Sequence, residues 1–76
     1  GSYLRIAIAL QLTAEAEEAD GSRALDATIE MFSGRTVAQL SDLKQRKKLK
    51  EDLAAEVKEL YDGEVMDLYI TEFVTQ

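Results

Sequence analysis

The two ends of this chain alternate with a period of two, and the middle does not. Residues 3–12, YLRIAIALQL, put Leu4, Ile6, Ile8, Leu10 and Leu12 on one side and Tyr3, Arg5, Ala7, Ala9 and Gln11 on the other. Residues 65–76, VMDLYITEFVTQ, put Met66, Leu68, Ile70 and Val74 on one side and Val65, Tyr69 and Phe73 on the other. This alternation is the mark of half-buried strands. A sheet of two strands is marginal in water and leaves one edge of each strand open. The terminal strand also carries large apolar side chains on both faces, so helices covering one face leave the other bare. Another segment or another chain is therefore expected to complete it.

The middle of the chain is helical. Ser22 is suited to cap a helix over 23–33, with Leu25, Ile29 and Phe32 on one stripe and Thr28 between them. Gly34 follows as its C-cap. Thr36 and Gln39 have capping-box spacing and open a short turn or helix ending near Leu40. Ser41 or Asp42 caps a third helix reaching about Tyr61, with Leu49, Leu53, Val57 and Leu60 as its buried stripe and Gly63 closing it. Residues 13–21, TAEAEEADG, are acidic and poor in apolar groups, and lack the regular D-x-D-x-D-G ligand order of a calcium loop. They read as a solvated loop. The order strand, helix, short helix, long helix, strand describes a single α+β domain of β-α-α-β type. It contains no repeat, linker or proline.

Elementary chemistry then removes whole classes of function. With 76 residues the chain supports one small core and buries only roughly 60% of its unfolded surface. It has no cysteine and no histidine, which removes disulfides, thiolate chemistry, the usual zinc sites and the commonest general base. Glu15, Glu17 and Glu18 lie in the acidic loop and Glu51, Asp52, Glu56 and Glu59 decorate the long helix, so no carboxylate pair is held in two contrasting environments. A domain of this size is also expected to have little room for a ligand pocket of ~300 Å³ or more. No phosphate-cradling glycine run occurs. The net charge of −6 argues against a nucleic-acid binder. The expectation is a non-enzymatic domain with no cofactor, no metal and no nucleic acid. No segment approaches the ~20 apolar residues of a membrane span. Gly1-Ser2 reads as a cloning scar, which points to a longer parent protein.

The closing VMDLYITEFVTQ, preceded by Gly63, resembles the terminal signature of the FliL family, the flagellar basal-body-associated proteins. That signature has a glycine, a short apolar pair, an aspartate, a hydrophobic run, T-E/D-F-V and a glutamine. YLRIAIALQL is similar to the family's first strand, LDATIEMFSGRTVAQL (residues 25–40) to its central helix and basic-threonine turn, and Leu49 to Leu60 to its long helix. Two departures concern loops. The longer, proline-containing entry to the central helix is absent, and Asp42-Leu43-Lys44-Gln45 stands where a proline and a glycine are usual.

The resemblance implies residues 3–76 to be the periplasmic domain of a single-pass inner-membrane protein, with the membrane span upstream of this stretch. It implies a stomatin/prohibitin (SPFH)-like fold, self-association into a ring in the membrane-anchored parent, and support of MotA/MotB-type stator proteins in motility. A generic α+β adaptor or oligomerisation domain unrelated to the motor is the competing reading, since the same fold serves both.

Two groups of residues are candidates for a partner or oligomer interface. Lys44, Lys47 and Lys48, with Arg46 and Lys50, crowd the first turns of the long helix, where the helix dipole disfavours cations. They form either a solvated face or a patch for an acidic partner or anionic lipid. No aromatic residue interleaves them as a nucleic-acid platform would. Lys47 with Glu51, or Lys48 with Asp52, can pair along the helix in the weaker orientation. Tyr69 and Phe73 form the second group, an aromatic face for a neighbouring subunit, with Leu68, Ile70 and Val74 turned toward the helices. Glu72 falls on that apolar face. It is either exposed at the strand end or an inward carboxylate paired with Arg5 or Arg35, and the matching position in the family is usually acidic. Free association through so small a surface is expected to be weak, and membrane anchoring to strengthen it by raising effective concentration.

Overall fold

The computed structural model describes residues 3–16 and 19–75. The Gly1-Ser2 reading, and Glu17 and Glu18 of the acidic loop, lie outside the described residues. Along the chain come β1 (Leu4–Leu12), α1 (Ser22–Phe32), α2 (Val37–Ser41), α3 (Leu43–Leu60) and β2 (Val65–Thr75). This is the α+β order anticipated from the sequence. No helix among the described residues is long and apolar enough to cross a membrane.

β1 and β2 pair antiparallel and make up the whole sheet among the described residues. The register runs from Leu4 opposite Thr75 to Leu12 opposite Val65. It slips twice. Between Ala7/Ile8 and between Gln11/Leu12 the β1 side advances one residue while β2 advances two, so Thr71 and Met66 are the extra residues of two β-bulges. A slip of one residue exchanges the faces of a strand. Val65, Leu68, Ile70 and Phe73 consequently face inward, opposite Leu12, Leu10, Ile8 and Ile6. Met66, Tyr69 and Val74 are exposed. The assignment of Met66 and Val74 to the inner row, and of Val65 and Phe73 to the outer, is corrected accordingly. A strict alternation would have placed the carboxylate of Glu72 inside and the ring of Phe73 outside, and the Thr71 bulge reverses both.

α1 begins one residue earlier than anticipated. Ser22 is its first residue rather than its cap, Gly21 occupies the cap position, and the Asp20 carboxylate accepts from the Ser22 backbone N–H and hydroxyl. Those two hydrogen bonds, the hydroxyl first, hold the Asp20 carboxyl below its ordinary value of 3.8, with a smaller contribution from Arg23. The buried face is Ala24, Ala27, Thr28 and Phe32, while Leu25 and Ile29 are 49% and 53% exposed. Apolar side chains lie on two faces of α1. The face of small residues turns inward against α3, where they allow the closer approach. The Thr28 hydroxyl is satisfied by the Ala24 carbonyl at 2.7 Å, so its burial leaves no orphan donor. Beyond the helix Gly34 takes φ +78°, a left-handed conformation suited to glycine.

The capping box is formed as its spacing requires. The Gln39 N–H donates to the Thr36 hydroxyl and the Thr36 N–H to the Gln39 side chain. Asp42 caps α3, accepting from the N–H groups of Lys44 and Gln45. Its carboxylate supplies the negative charge that the lysine-rich first turn lacks.

Along α3, Leu49, Leu53 and Val57 are buried as anticipated, but the fourth core position is Tyr61 and not Leu60, which is exposed. Tyr61 is the C-cap and has left helical geometry, so its side chain escapes the helical period. Its hydroxyl donates to the Asp20 carbonyl and accepts from the Ala24 N–H, while the Arg23 guanidinium donates to the Leu60 carbonyl at 3.1 Å. The end of α3 is thereby tied to the start of α1. Asp62 and Gly63 then reverse the chain at φ 50° and 83°.

A candidate interface groove between α3 and β2

β2 packs beside α3, and a groove of about 490 Å³ opens between them, lined by Leu43, Arg46, Lys47, Lys50, Tyr69, Ile70 and Phe73. The helix places Arg46 and Lys50 one turn apart on the same side. Both reach the strand. The Arg46 guanidinium carbon lies 4.8 Å from the centroid of the Phe73 ring, and the Lys50 ammonium 5.7 Å from that of Tyr69. Both distances lie within cation–π range. The two candidate groups, distant in sequence, thus share one site through Lys47, Tyr69 and Phe73. Lys44 and Lys48 do not line it. Lys48 instead pairs with Asp52 at 3.6 Å along the helix. Lys47 makes no ion pair with Glu51.

Tyr69 and Phe73 play different parts. Phe73 meets Phe32 edge-to-face, with centroids 6.2 Å apart and planes at 65°, and is half-buried. It closes one end of the core and presents its other side to Arg46. Tyr69 is 44% exposed and donates from its hydroxyl to the Gln11 side chain at 2.8 Å on the outer face of the sheet. The two rings therefore line one groove without sharing a face of β2: the bulge at Thr71 turns Phe73 inward and leaves Tyr69 on the outer face. Leu43, 72% exposed, stands at the mouth of the groove. Arg46 and Lys50, which share the groove with Lys47, were read only as members of the charged run. Their positions four residues apart are the available signal that they act together.

Glu72 is not an inward carboxylate: the bulge turns it to the outer face, where it is open to solvent and also paired. It meets the Arg5 guanidinium at 2.6 Å across the outer face, with both side chains substantially exposed. Arg35 instead donates to the Met31 carbonyl at the end of α1. An ion pair so open to solvent contributes little to stability.

A second depression, about 440 Å³, lies between β1 and the α1–α2 turn, with Tyr3, Ile29 and Val37 among its lining and each exposed. Room for a ligand was anticipated to be scarce, and both depressions exceed that expectation in volume. They are open grooves and not enclosed cavities, because so few elements cannot wrap around an interior space. Among the described residues no three acidic, histidine or cysteine side chains come together as metal ligands.

The family model for the flagellar basal body-associated protein FliL matches residues 1–76 of the chain. No curated protein matches it.

Proposed function

The chain belongs to the FliL family of flagellar basal body-associated proteins, and from this membership we propose that it is a non-enzymatic scaffold of the flagellar motor. On this reading it is the periplasmic domain of a membrane-anchored protein that supports stator units of the MotA/MotB type and self-associates around them. The observation that carries the proposal is the convergence of Lys47, Tyr69 and Phe73 on one open groove beside a sheet whose outer face is left uncovered. Met66, Tyr69 and Val74 are exposed along β2, which offers a second chain apolar anchors on that strand. The two contacts divide between two surfaces. The groove takes the stator component, and the outer sheet face takes the neighbouring copy.

Motility tests this division. Lys47→Glu in the full-length protein should reduce swimming, most strongly in viscous medium where torque demand is high, at unchanged protein level. Met66→Asp should leave the domain folded and remove higher-order cross-links between copies. Normal swimming by the first variant and intact cross-links in the second would overturn the proposal.

A further inference from the structure

Arg46, Lys47 and Lys50 line a groove whose remaining walls are Leu43, Tyr69, Ile70 and Phe73. Among the described residues, none of these three cations is paired with a carboxylate, although the chain is acidic overall at −6; of the two cluster members outside the groove, Lys48 pairs with Asp52 and Lys44 has no ion pair. Arg46 and Lys50 lie over aromatic rings instead. A cation held on a ring keeps most of its hydrogen-bonding capacity free for an incoming anion. The groove therefore joins an apolar floor to a rim of unsatisfied positive charge, in a molecule whose remaining surface repels anions.

We infer that this groove binds an acidic amphipathic segment of a partner protein. The segment's apolar side chains insert between Leu43, Ile70 and Phe73, and its carboxylates meet Arg46, Lys47 and Lys50. The inference rests on the scaffold reading above and names the chemistry of its partner. Charge complementarity selects the occupant: a carboxylate-bearing amphipathic segment satisfies rim and floor together. An anionic membrane surface is the poorer match. The site is concave, whereas a bilayer surface is broad and flat, and the net negative charge opposes approach to anionic lipid. Recognition by apolar anchors in a groove with charges at its edge is a recurrent mode of peptide binding.

The test uses the 76-residue chain with four probes. These are a labelled synthetic peptide with a leucine face and flanking glutamates, the same peptide with glutamines, a glutamate-only peptide, and phosphatidylglycerol vesicles. The leucine–glutamate peptide should bind, more weakly as salt rises, and the other two peptides should bind far less. Lys47→Glu and Lys50→Glu should each weaken it roughly tenfold, or about 1.4 kcal/mol, since an exposed attraction is turned into a repulsion. Both variants should keep the parent melting temperature within a few degrees, which separates lost binding from lost fold. Equal binding of the glutamine peptide, no effect of the reversals, binding of vesicles in preference to peptide, or no binding at all would each overturn the inference. Those results bear on the chemistry of the groove's partner; the scaffold reading stands or falls separately, on the motility and cross-linking of the full-length protein.

Discussion

Truncating the two aromatic residues of β2 separately should give sharply different costs, and the difference measures the bulge at Thr71. Phe73 packs on Phe32 and is half-buried. A fully buried Phe→Ala change costs about 3–5 kcal/mol, so roughly half that burial, together with the lost edge-to-face pair, comes to about 2–3 kcal/mol. Tyr69 gives up an exposed hydrogen bond to Gln11 and a solvent-facing contact with Lys50, each near the low end of its range in solvent, so about 1 kcal/mol together. A 76-residue domain has a total stability on the order of 4–11 kcal/mol. Phe73→Ala should therefore remain folded but melt roughly 10–20 °C lower, and Tyr69→Ala only about 4–8 °C lower. Far-UV circular dichroism on heating, backed by urea titration, reads both. Under strict alternation the two rings share a face and Val74 is core. Equal shifts for the two aromatics, or a Val74→Ser variant that loses as much as Phe73→Ala, would refute the bulged register.

Three further outcomes follow from the same contacts. Tyr61→Phe strips the Ala24 N–H and the Asp20 carbonyl of their partner and should destabilise by about 1–3 kcal/mol with no change of shape, measured by urea unfolding. Asp20 has a lowered pKa through its bonds from Ser22. Its stabilising contribution is therefore complete above pH 3.8 and is lost as pH falls through the lowered folded value. An Asp20→Asn variant should show a flatter acid unfolding profile, and an unchanged profile would remove the carboxylate from the acid response. Lys48→Glu turns the exposed pair with Asp52 into a repulsion and should cost no more than about 1 kcal/mol, with peptide binding at the α3–β2 groove unaltered.

What was legible in the sequence was whatever local chemistry decides. The Thr36–Gln39 spacing, the Asp42 cap and the left-handed Gly63 each depend on neighbours within four residues, and each is formed. The inner row of β1 was equally clear, because Leu4 to Leu12 alternate without a slip on that strand. The bulges were not. Thr71 and Met66 carry no glycine or proline to mark them, and only the partner strand shows that β2 advances by an extra residue. The inner face of α1 was missed for a related reason. Period alone favours Leu25 and Ile29, whereas the need for α3 to approach closely selects Ala24 and Ala27. For the groove, the candidate residues Lys47, Tyr69 and Phe73 were visible, but their meeting depends on α3 folding back along β2.

The most direct measurement is site-specific photocrosslinking in motile cells, with a photoreactive benzophenone amino acid replacing Tyr69 in the full-length protein and, as a control, Leu25 on the opposite helix. Tyr69 reaches both the groove and the outer sheet face, so position 69 should yield adducts with a stator subunit and with a second copy, and position 25 should yield neither. Absence of adducts at position 69 in cells that swim normally, or the same adducts in equal yield from position 25, would contradict a scaffold that works through β2.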